Sequence, residues 1–364
     1  MHKHVDKTLL TLIIILVTLG FMIFSSASLG LLARDGARFT SVAFSQLVFG
    51  IIGGGLGMFL TSQIYYRNWR KYAFYIFLFT LFATLLVYTP LGFSHGGARR
   101  WLEIASFSFQ PAELLKIGYT IYIATWLSAA HNKIDSFREG TLPFIIITGI
   151  VGIILLLQPD TDTFMLIAIA GVAMFTTAGG RWRDILMIFI AGVLVLTVLF
   201  FAKPYIKDRF MTLFNPDDDP QGSGWQIKQS LIAIGTGGLN GRGFGQSIQK
   251  FEYLPEPIGD SVFAVFAEEF GFIGTSFLIL LLSSFTFRGY KIASHAVDMF
   301  GMLLVVGFIT IIVVQAFLNI SAMLALAPLM GLPLPFISHG GTALLVTLLS
   351  AGIVLNVSRY QKKI

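Results

Sequence analysis

Only 12% of the 364 residues are charged. Ionisable groups inside apolar runs are costly in hydrocarbon and tend to mark function. Glu113 and Lys116, in Gln110–Pro111–Ala112–Glu113–Leu114–Leu115–Lys116, fall one helical turn apart and can pair. Such a pair is either a self-neutralised strut or part of a polar cavity wall. Further on, Leu254–Pro255–Glu256–Pro257–Ile258–Gly259–Asp260 runs into Ser261–Val262–Phe263–Ala264–Val265–Phe266–Ala267–Glu268–Glu269. Asp260 stands at a helix start, where a carboxylate caps free N–H groups; left uncapped, it could serve as a general base. Glu268 and Glu269 lie about 12–13 Å further along if the helix is straight, at about 1.5 Å per residue. Glu268 falls near the Asp260 face and Glu269 nearly opposite, and structure rather than catalysis is the expected role of both.

Arg99 and Arg100, followed by Trp101, offer guanidinium groups that could clamp a diphosphate or anchor the chain at a membrane interface. Asp160, in Gln158–Pro159–Asp160, suits a helix cap or a cation ligand. The run from Gly235 to Gly245 is rich in glycine but has no GxxxxGK[ST] match. A nucleotide loop is therefore not expected, although close backbone approach, with N–H groups open to a phosphate, is. The six histidines (2, 4, 95, 131, 295 and 339) lack metal-ligand spacing. The absence of cysteine excludes disulfides, thiolate zinc sites and thiol catalysis.

These residues must be positioned by membrane-spanning helices. The chain is 55% hydrophobic with a mean hydropathy of +0.79, which excludes a water-soluble globular protein. Apolar runs recur near 8–29, 41–62, 72–90, 111–130, 141–158, 163–179, 185–203, 261–287, 298–319 and 340–358, each long enough for a hydrocarbon core of about 30 Å. The expectation is an all-α polytopic membrane protein, one domain over 1–364, with about ten transmembrane helices. Fourteen basic residues fall at the termini and in the short loops of their side, against Arg34, Arg38, Arg99 and Arg100 in the opposite short loops. Both termini are thus expected in the cytoplasm. The net charge of +6 is a topology signal and does not point to nucleic acid.

The N-terminus resembles a signal peptide, with basic residues, an apolar stretch and Ser26–Ala27–Ser28, and is expected to be retained. Two regions break the helical rhythm. Residues 204–260, between the seventh and eighth spans, are too long for a mere connector and are expected to form an extracytoplasmic cap. Residues 320–341 are apolar yet hold Pro328, Pro333, Pro335, Gly340 and Gly341, and are expected to re-enter and wall an outward-facing cavity.

Several stretches together carry a family resemblance: Gly97–Ala98–Arg99–Arg100–Trp101, Phe107–Ser108–Phe109–Gln110–Pro111–Ala112–Glu113–Leu114–Leu115–Lys116, Gln229–Ser230–Leu231–Ile232–Ala233–Ile234–Gly235, Tyr253–Leu254–Pro255–Glu256, Phe263–Ala264–Val265–Phe266–Ala267–Glu268–Glu269 and Gly331–Leu332–Pro333–Leu334–Pro335–Phe336–Ile337–Ser338. In that order they resemble the FtsW/RodA/SpoVE family of shape, elongation, division and sporulation proteins. Gly241–Arg242–Gly243–Phe244–Gly245–Gln246–Ser247–Ile248–Gln249–Lys250 looks more like FtsW than RodA.

The resemblance implies a peptidoglycan glycosyltransferase that polymerises lipid II and works with a class B penicillin-binding transpeptidase and other membrane proteins of the division or elongation machinery. It implies Asp260 as the catalytic acid-base residue. Arg99, Arg100, Glu113, Lys116, Gln229, Ser230, Glu256 and Ser338 are expected at the substrate, supported by Asp160, Glu268, Glu269, Pro335, Gly340 and Gly341. A divalent cation, Mg²⁺ or Mn²⁺, is an expected auxiliary with no ligands assigned. The sequence departs from the family pattern at Ile258–Gly259, where His-Thr is usual, and at Ser261–Val262, where Phe-Ile is usual. It departs again at Asp162 and Ser321, where Gly is usual, and at His339, where Tyr is common. A lipid II flippase and a RodA-like elongation polymerase are the alternatives, and a non-catalytic scaffold for a transpeptidase is a third.

Overall fold

The computed structural model describes residues 4–95, 98–104, 107–219 and 222–361. His2, Lys3, Gly97, Lys362 and Lys363 lie outside them. Long apolar runs become helices because hydrocarbon offers no partner for backbone N–H and C=O groups, and an α-helix satisfies them internally. In order the helices are α1 (Lys7–Arg34), α2 (Gly36–Ser45), α3 (Gly54–Gln63), α4 (Arg67–Leu85), α5 (Pro111–Ala129), α6 (Leu142–Leu157), α7 (Thr161–Thr177), α8 (Trp182–Ala202), α9 (Pro204–Phe214), α10 (Ser223–Gly237), α11 (Gln249–Glu252), α12 (Val262–Ser294), α13 (Met299–Met323) and α14 (Gly341–Ser358). A widened helical stretch over Gln46–Gly53 joins α2 to α3 in one crossing.

Among the described residues eight helical stretches are long and apolar enough to cross a membrane. The other two expected spans correspond to α5, which carries Glu113 and Lys116, and to the shorter α7. The chain is a multi-pass membrane protein. α13 and α14 are largely buried and form the centre, with α5, α7 and α12 packed on α13 and α3 packed on α14. α8 stands at the periphery with no buried residue.

Both chain ends sit at one end of the bundle. Asp6 caps α1 by accepting from Leu9 N at 2.8 Å, takes Arg288 Nε at 3.0 Å, and donates its own N–H to Ser358 Oγ at 2.9 Å. Asp298 caps α13 at the same end, accepting from Gly301 N at 2.8 Å, Arg67 Nε at 2.7 Å and the Tyr66 hydroxyl at 2.9 Å.

The opposite end holds a feature absent from the sequence expectation, a small antiparallel sheet of β1 (Gly92–His95), β2 (Ala98–Ile104) and β3 (Phe107–Phe109) in that order. Leu102 pairs with Gly92 on one side and Phe109 on the other. Residues 204–260 fold into α9, α10, α11 and their connections.

The eighth span differs most from expectation. α12 is not straight: Gly271 has φ 63° and ψ −164°, a conformation that only glycine adopts readily. Residues 272–294 make a crossing of about 34 Å at about 1.5 Å per residue, and 262–270 form a separate segment before it. Glu268 and Glu269 therefore precede the crossing and do not lie partway down a straight helix. The glycine loop after α10 accounts for the break. Arg242 N and Gly243 N donate to the carbonyls of Glu268 and Glu269 at 3.0 and 2.9 Å, while Phe272 N and Ile273 N donate to Gly238 O and Leu239 O at 2.8 and 3.1 Å. Backbone groups freed at a helix break need such partners when buried. A Cβ on Gly271 would lie 2.3 Å from Gly241 N, so the two strands of backbone touch.

Irregular backbone begins later than expected: α13 continues to Met323, and the irregular stretch occupies 324–340, with positive φ at Ala325 and Phe336.

Candidate active site

Asp260 lies at the end opposite the termini, just before α12, and three consecutive carbonyls around it are claimed by the irregular segment and α13. Ile258 O accepts from His339 N at 2.7 Å, Gly259 O from Ser338 Oγ at 2.8 Å, and Asp260 O from Asn319 Nδ2 at 2.8 Å. Asn319 also donates to Leu332 O at 2.8 Å, and Ser338 Oγ accepts from Leu334 N at 2.7 Å. From the chain's other side, Glu256 O accepts from Gly259 N and Ser261 N at 3.1 and 3.2 Å, and Ser261 Oγ accepts from Gln226 Nε2 at 2.8 Å. The backbone bearing Asp260 is thus fixed from several elements.

The side chain itself is unspent. Ser261 is the residue before α12, no side chain caps that helix, and no donor among the described residues reaches the Asp260 carboxylate. It faces the irregular segment, where a Cβ on Gly331 would lie 3.7 Å from Oδ2. Burial raises its pKa from 3.8 to about 7, the nearby Glu256 and Asp162 carboxylates push the same way, and Arg209 and Arg100 pull it back. An acid titrating near neutrality, partly exposed and fixed by its backbone, suits proton abstraction.

Beside it lies a cluster of alternating charge. Asp160 caps α7 through Thr163 N at 3.3 Å, accepts from Gln110 Nε2 at 3.0 Å, and lies 3.7 Å from Arg100 Nη1. Burial raises its pKa, opposed by Arg100. Arg100 also donates to Pro159 O. Asp162 accepts from Arg209 Nη1 at 2.9 Å through each of its oxygens and lies 4.0 Å from Arg100. Arg99 goes elsewhere: Nε and Nη2 donate to Gly92 O and Thr89 O at 3.0 and 2.6 Å, fastening β2 to β1 and to the turn before it.

Glu113 and Lys116 are buried and pair at 2.8 Å. Lys116 continues to Gln315 Oε1 at 3.0 Å, and Gln315 Nε2 donates to Pro333 O at 2.8 Å, which ties α5 through α13 to the irregular segment. On α10, Gln229 and Ser230 are buried, and Ser230 Oγ points to Met323 Sδ at 3.4 Å. Pro335 lies in the irregular segment beside Phe336, Gly340 N donates to Gln46 Oε1 at 3.1 Å, and a Cβ on Gly341 would meet Ser45 Oγ at 2.8 Å. Glu256 is exposed at the rim.

Glu268 and Glu269 have their charges fully engaged. Glu268 accepts from Ser247 Oγ at 2.6 Å and Ile248 N at 3.1 Å, with Arg242 Nε at 3.5 Å. Glu269 accepts from Ser26 Oγ at 2.6 Å and the buried Lys250 Nζ at 2.7 Å. These contacts join α1, the glycine loop and the first segment of α12.

Asn319, Gln315, Gln226 and Arg209 escaped the sequence reading. Gln315 and Asn319 left a signal: polar residues four apart in an apolar run share a helix face. Arg209 left none, being one of several basic residues in a long loop.

The family model for FtsW, RodA and SpoVE, described as cell cycle proteins, matches residues 6–363. The chain is 37% identical over 360 residues to stage V sporulation protein E of Bacillus subtilis, covering 98% of each. It is 36% identical over 363 residues to the probable peptidoglycan glycosyltransferase FtsW of Geobacter sulfurreducens, covering 98% of this chain and 95% of the relative. Among solved structures, a chain of a peptidoglycan synthase complex aligns with a TM-score of 0.80 at 27% identity over 98% of both chains. Thermus thermophilus RodA aligns at 0.72 and 26%, over 99% of this chain and 98% of RodA. With a match over nearly its whole length, the chain belongs to the FtsW/RodA/SpoVE family.

Proposed function

We propose that the protein is a peptidoglycan glycosyltransferase that polymerises lipid II at the outer face of the cytoplasmic membrane, with the FtsW-like septal role that its relatives' names suggest. The observation that carries this reading is Asp260: a carboxylate neither capping nor paired, fixed through the carbonyls of Ile258, Gly259 and Asp260, with a pKa near 7.

Asp260 removes the proton from the acceptor sugar hydroxyl. The oxygen attacks the anomeric carbon of the lipid-linked donor, the bond from that carbon to the diphosphate oxygen breaks, and the polyprenyl diphosphate leaves with the electron pair. Direct displacement inverts the anomeric centre and needs no protein nucleophile. A positioned general base contributes roughly 10²–10⁴-fold. Arginine at the departing diphosphate stabilises the developing charge, and Arg100 is the candidate among the expected clamp residues, since Arg99 is spent on the sheet.

A divalent cation, Mg²⁺ or Mn²⁺, belongs to the proposal as an auxiliary. Among the described residues no three His, Cys, Asp or Glu side chains converge on one point. Mg²⁺ commonly binds through substrate phosphates and water with one or two carboxylates, so an ion arriving with the diphosphate fits this arrangement better than a resident one.

The similarity to a chain of a peptidoglycan synthase complex supports a penicillin-binding transpeptidase of class B as partner, alongside other division or elongation membrane proteins. The flippase alternative loses support because the buried Glu113, Lys116, Glu268 and Glu269 are consumed by local pairing and do not line an open path.

The test is polymerisation of lipid II by the purified protein with its transpeptidase partner, wild type against Asp260→Asn. Glycan strands from the wild type alone are expected. Normal polymer from Asp260→Asn would remove the base assignment, and lipid II crossing vesicles without polymer would favour the flippase.

A further inference from the structure

Asp162 and Arg209 form a buried contact that the steps above do not use. Asp162 is not needed to cap α7, because Asp160 already accepts from Thr163 N. Among the described residues its hydrogen-bond partners are Arg209 Nη1 and the neighbouring Thr161 hydroxyl, the latter at 3.2 Å. The carboxylate side chain is only 5% exposed, whereas Arg209 keeps 27% of its side chain open.

The guanidinium groups on either side are underused. Arg209 gives a single nitrogen to both oxygens of Asp162, and its Nε and Nη2 have no hydrogen-bond partner among the described residues. Arg100 holds Asp162 and Asp160 at 4.0 and 3.7 Å, beyond hydrogen-bond reach, and its buried Nε lacks a partner. A guanidinium presents five N–H donors in a planar fork that matches phosphate oxygens. Two such forks, one from β2 and one from α9, therefore converge on one carboxylate and leave donors free. Both are close enough to Asp260 to lower its pKa.

From this geometry we infer that Arg100 and Arg209 form a diphosphate cradle and that Asp162 is a resident anion, occupying Arg209 in the free protein and giving way when the donor's diphosphate arrives. The inference deepens the polymerase reading and rests on it for the identity of the diphosphate. Diphosphate oxygens take the N–H donors that Asp162 engages or leaves free, so Asp162 weakens donor binding and sharpens release of the product carrier.

The test is equilibrium binding of undecaprenyl diphosphate to the full-length protein in detergent micelles, without turnover. Asp162→Asn should bind about tenfold more tightly, the change carried by one charge-assisted hydrogen bond. Arg209→Gln should bind about tenfold more weakly, and Asp162→Asn should bring no gain in the Arg209→Gln background. Asp162→Glu, which keeps the carboxylate, should stay near wild type. Inorganic diphosphate should compete only at higher concentration; equal competition would overturn the lipid-linked assignment.

Wild-type affinity in Asp162→Asn, with or without a lower melting temperature, would overturn the inference and leave Asp162 as a structural ion pair. If Asp162→Asn does not fold, Arg209→Gln decides, and undiminished binding there would overturn the cradle. Because no sugar is transferred in this binding measurement, absence of polymer from the wild type would strike the polymerase reading, and normal polymer from Asp260→Asn the base assignment, while leaving these affinities standing.

Discussion

The side-chain amide of Asn319 donates to the backbone carbonyl of Asp260 and to that of Leu332, each at 2.8 Å, so one residue of α13 holds the candidate base against the irregular segment. Gln315, one turn earlier, bridges Lys116 and the Pro333 carbonyl. α13 is thus a strut whose polar face carries both walls of the site.

Replacing Asn319 by Ala removes two buried hydrogen bonds of about 1 kcal/mol each and frees the backbone of Asp260. Polymerisation should lose about ten- to a hundredfold in kcat, in line with the sensitivity of catalysis to small misplacements, with a smaller change in KM. Steady-state kinetics with lipid II check this; a loss confined to KM would show that Asn319 acts on substrate binding.

The pH profile follows from the Asp260 pKa of about 7. Below it the carboxyl is protonated and cannot accept the sugar proton, so the rate should rise about tenfold per pH unit and level off above neutrality. Glu256→Gln removes a charge that raises this pKa, so the inflection should move to lower pH. Rates of both proteins between pH 5 and 9, roughly two units either side of the inflection, decide it.

Stability should move the opposite way from activity. The folded state raises this acid above its value of 3.8, so its contribution is full below that pH and is lost as pH rises through about 7. At pH well above the inflection, Asp260→Asn should be inactive yet at least as stable as the wild type, as thermal unfolding in detergent would record.

Gly271→Ala should loosen the packing of the glycine loop after α10 on α12. The conformation costs other residues about 1–3 kcal/mol, and the added Cβ meets Gly241 N at 2.3 Å with backbone that cannot step aside. A lower melting temperature and faster proteolysis between α10 and α11 are expected; wild-type behaviour would mean that the two backbones separate without penalty.

Glu269→Gln leaves the Lys250 ammonium, which is 0% exposed, without its counter-charge, a change that typically costs about 3–5 kcal/mol. Lys250→Met should be similarly harmful. The double variant should be milder than the sum, because neither charge is then orphaned, and a double-mutant cycle in thermal unfolding measures the coupling.

The crossings were legible because run length and basic punctuation are properties of consecutive residues. The place of Asp260 was legible for the same reason, since an acid between a Pro-rich loop and an apolar helix is a local pattern, whereas its expected catalytic role came from the family resemblance. The sheet at 92–109 was not, since its short strands are defined by pairing and one register shift near Phe93 and Ser94, with little alternation of their own. Nor could local pattern reveal that the eighth helix breaks at Gly271, because the groups that make the break tolerable belong to the loop at 238–243.

Sequence alone therefore determined a polytopic helical chain with a carboxylate at a helix mouth. Tertiary structure decided what that carboxylate is free to do. Its backbone partners Asn319 and Ser338 stand 59 and 79 positions from the carbonyls they hold, and Arg209 reaches Asp162 from another helix across 47 positions. Buried polar groups must find partners wherever the fold brings them. Those partners are chosen in space, so neighbours along the chain do not name them.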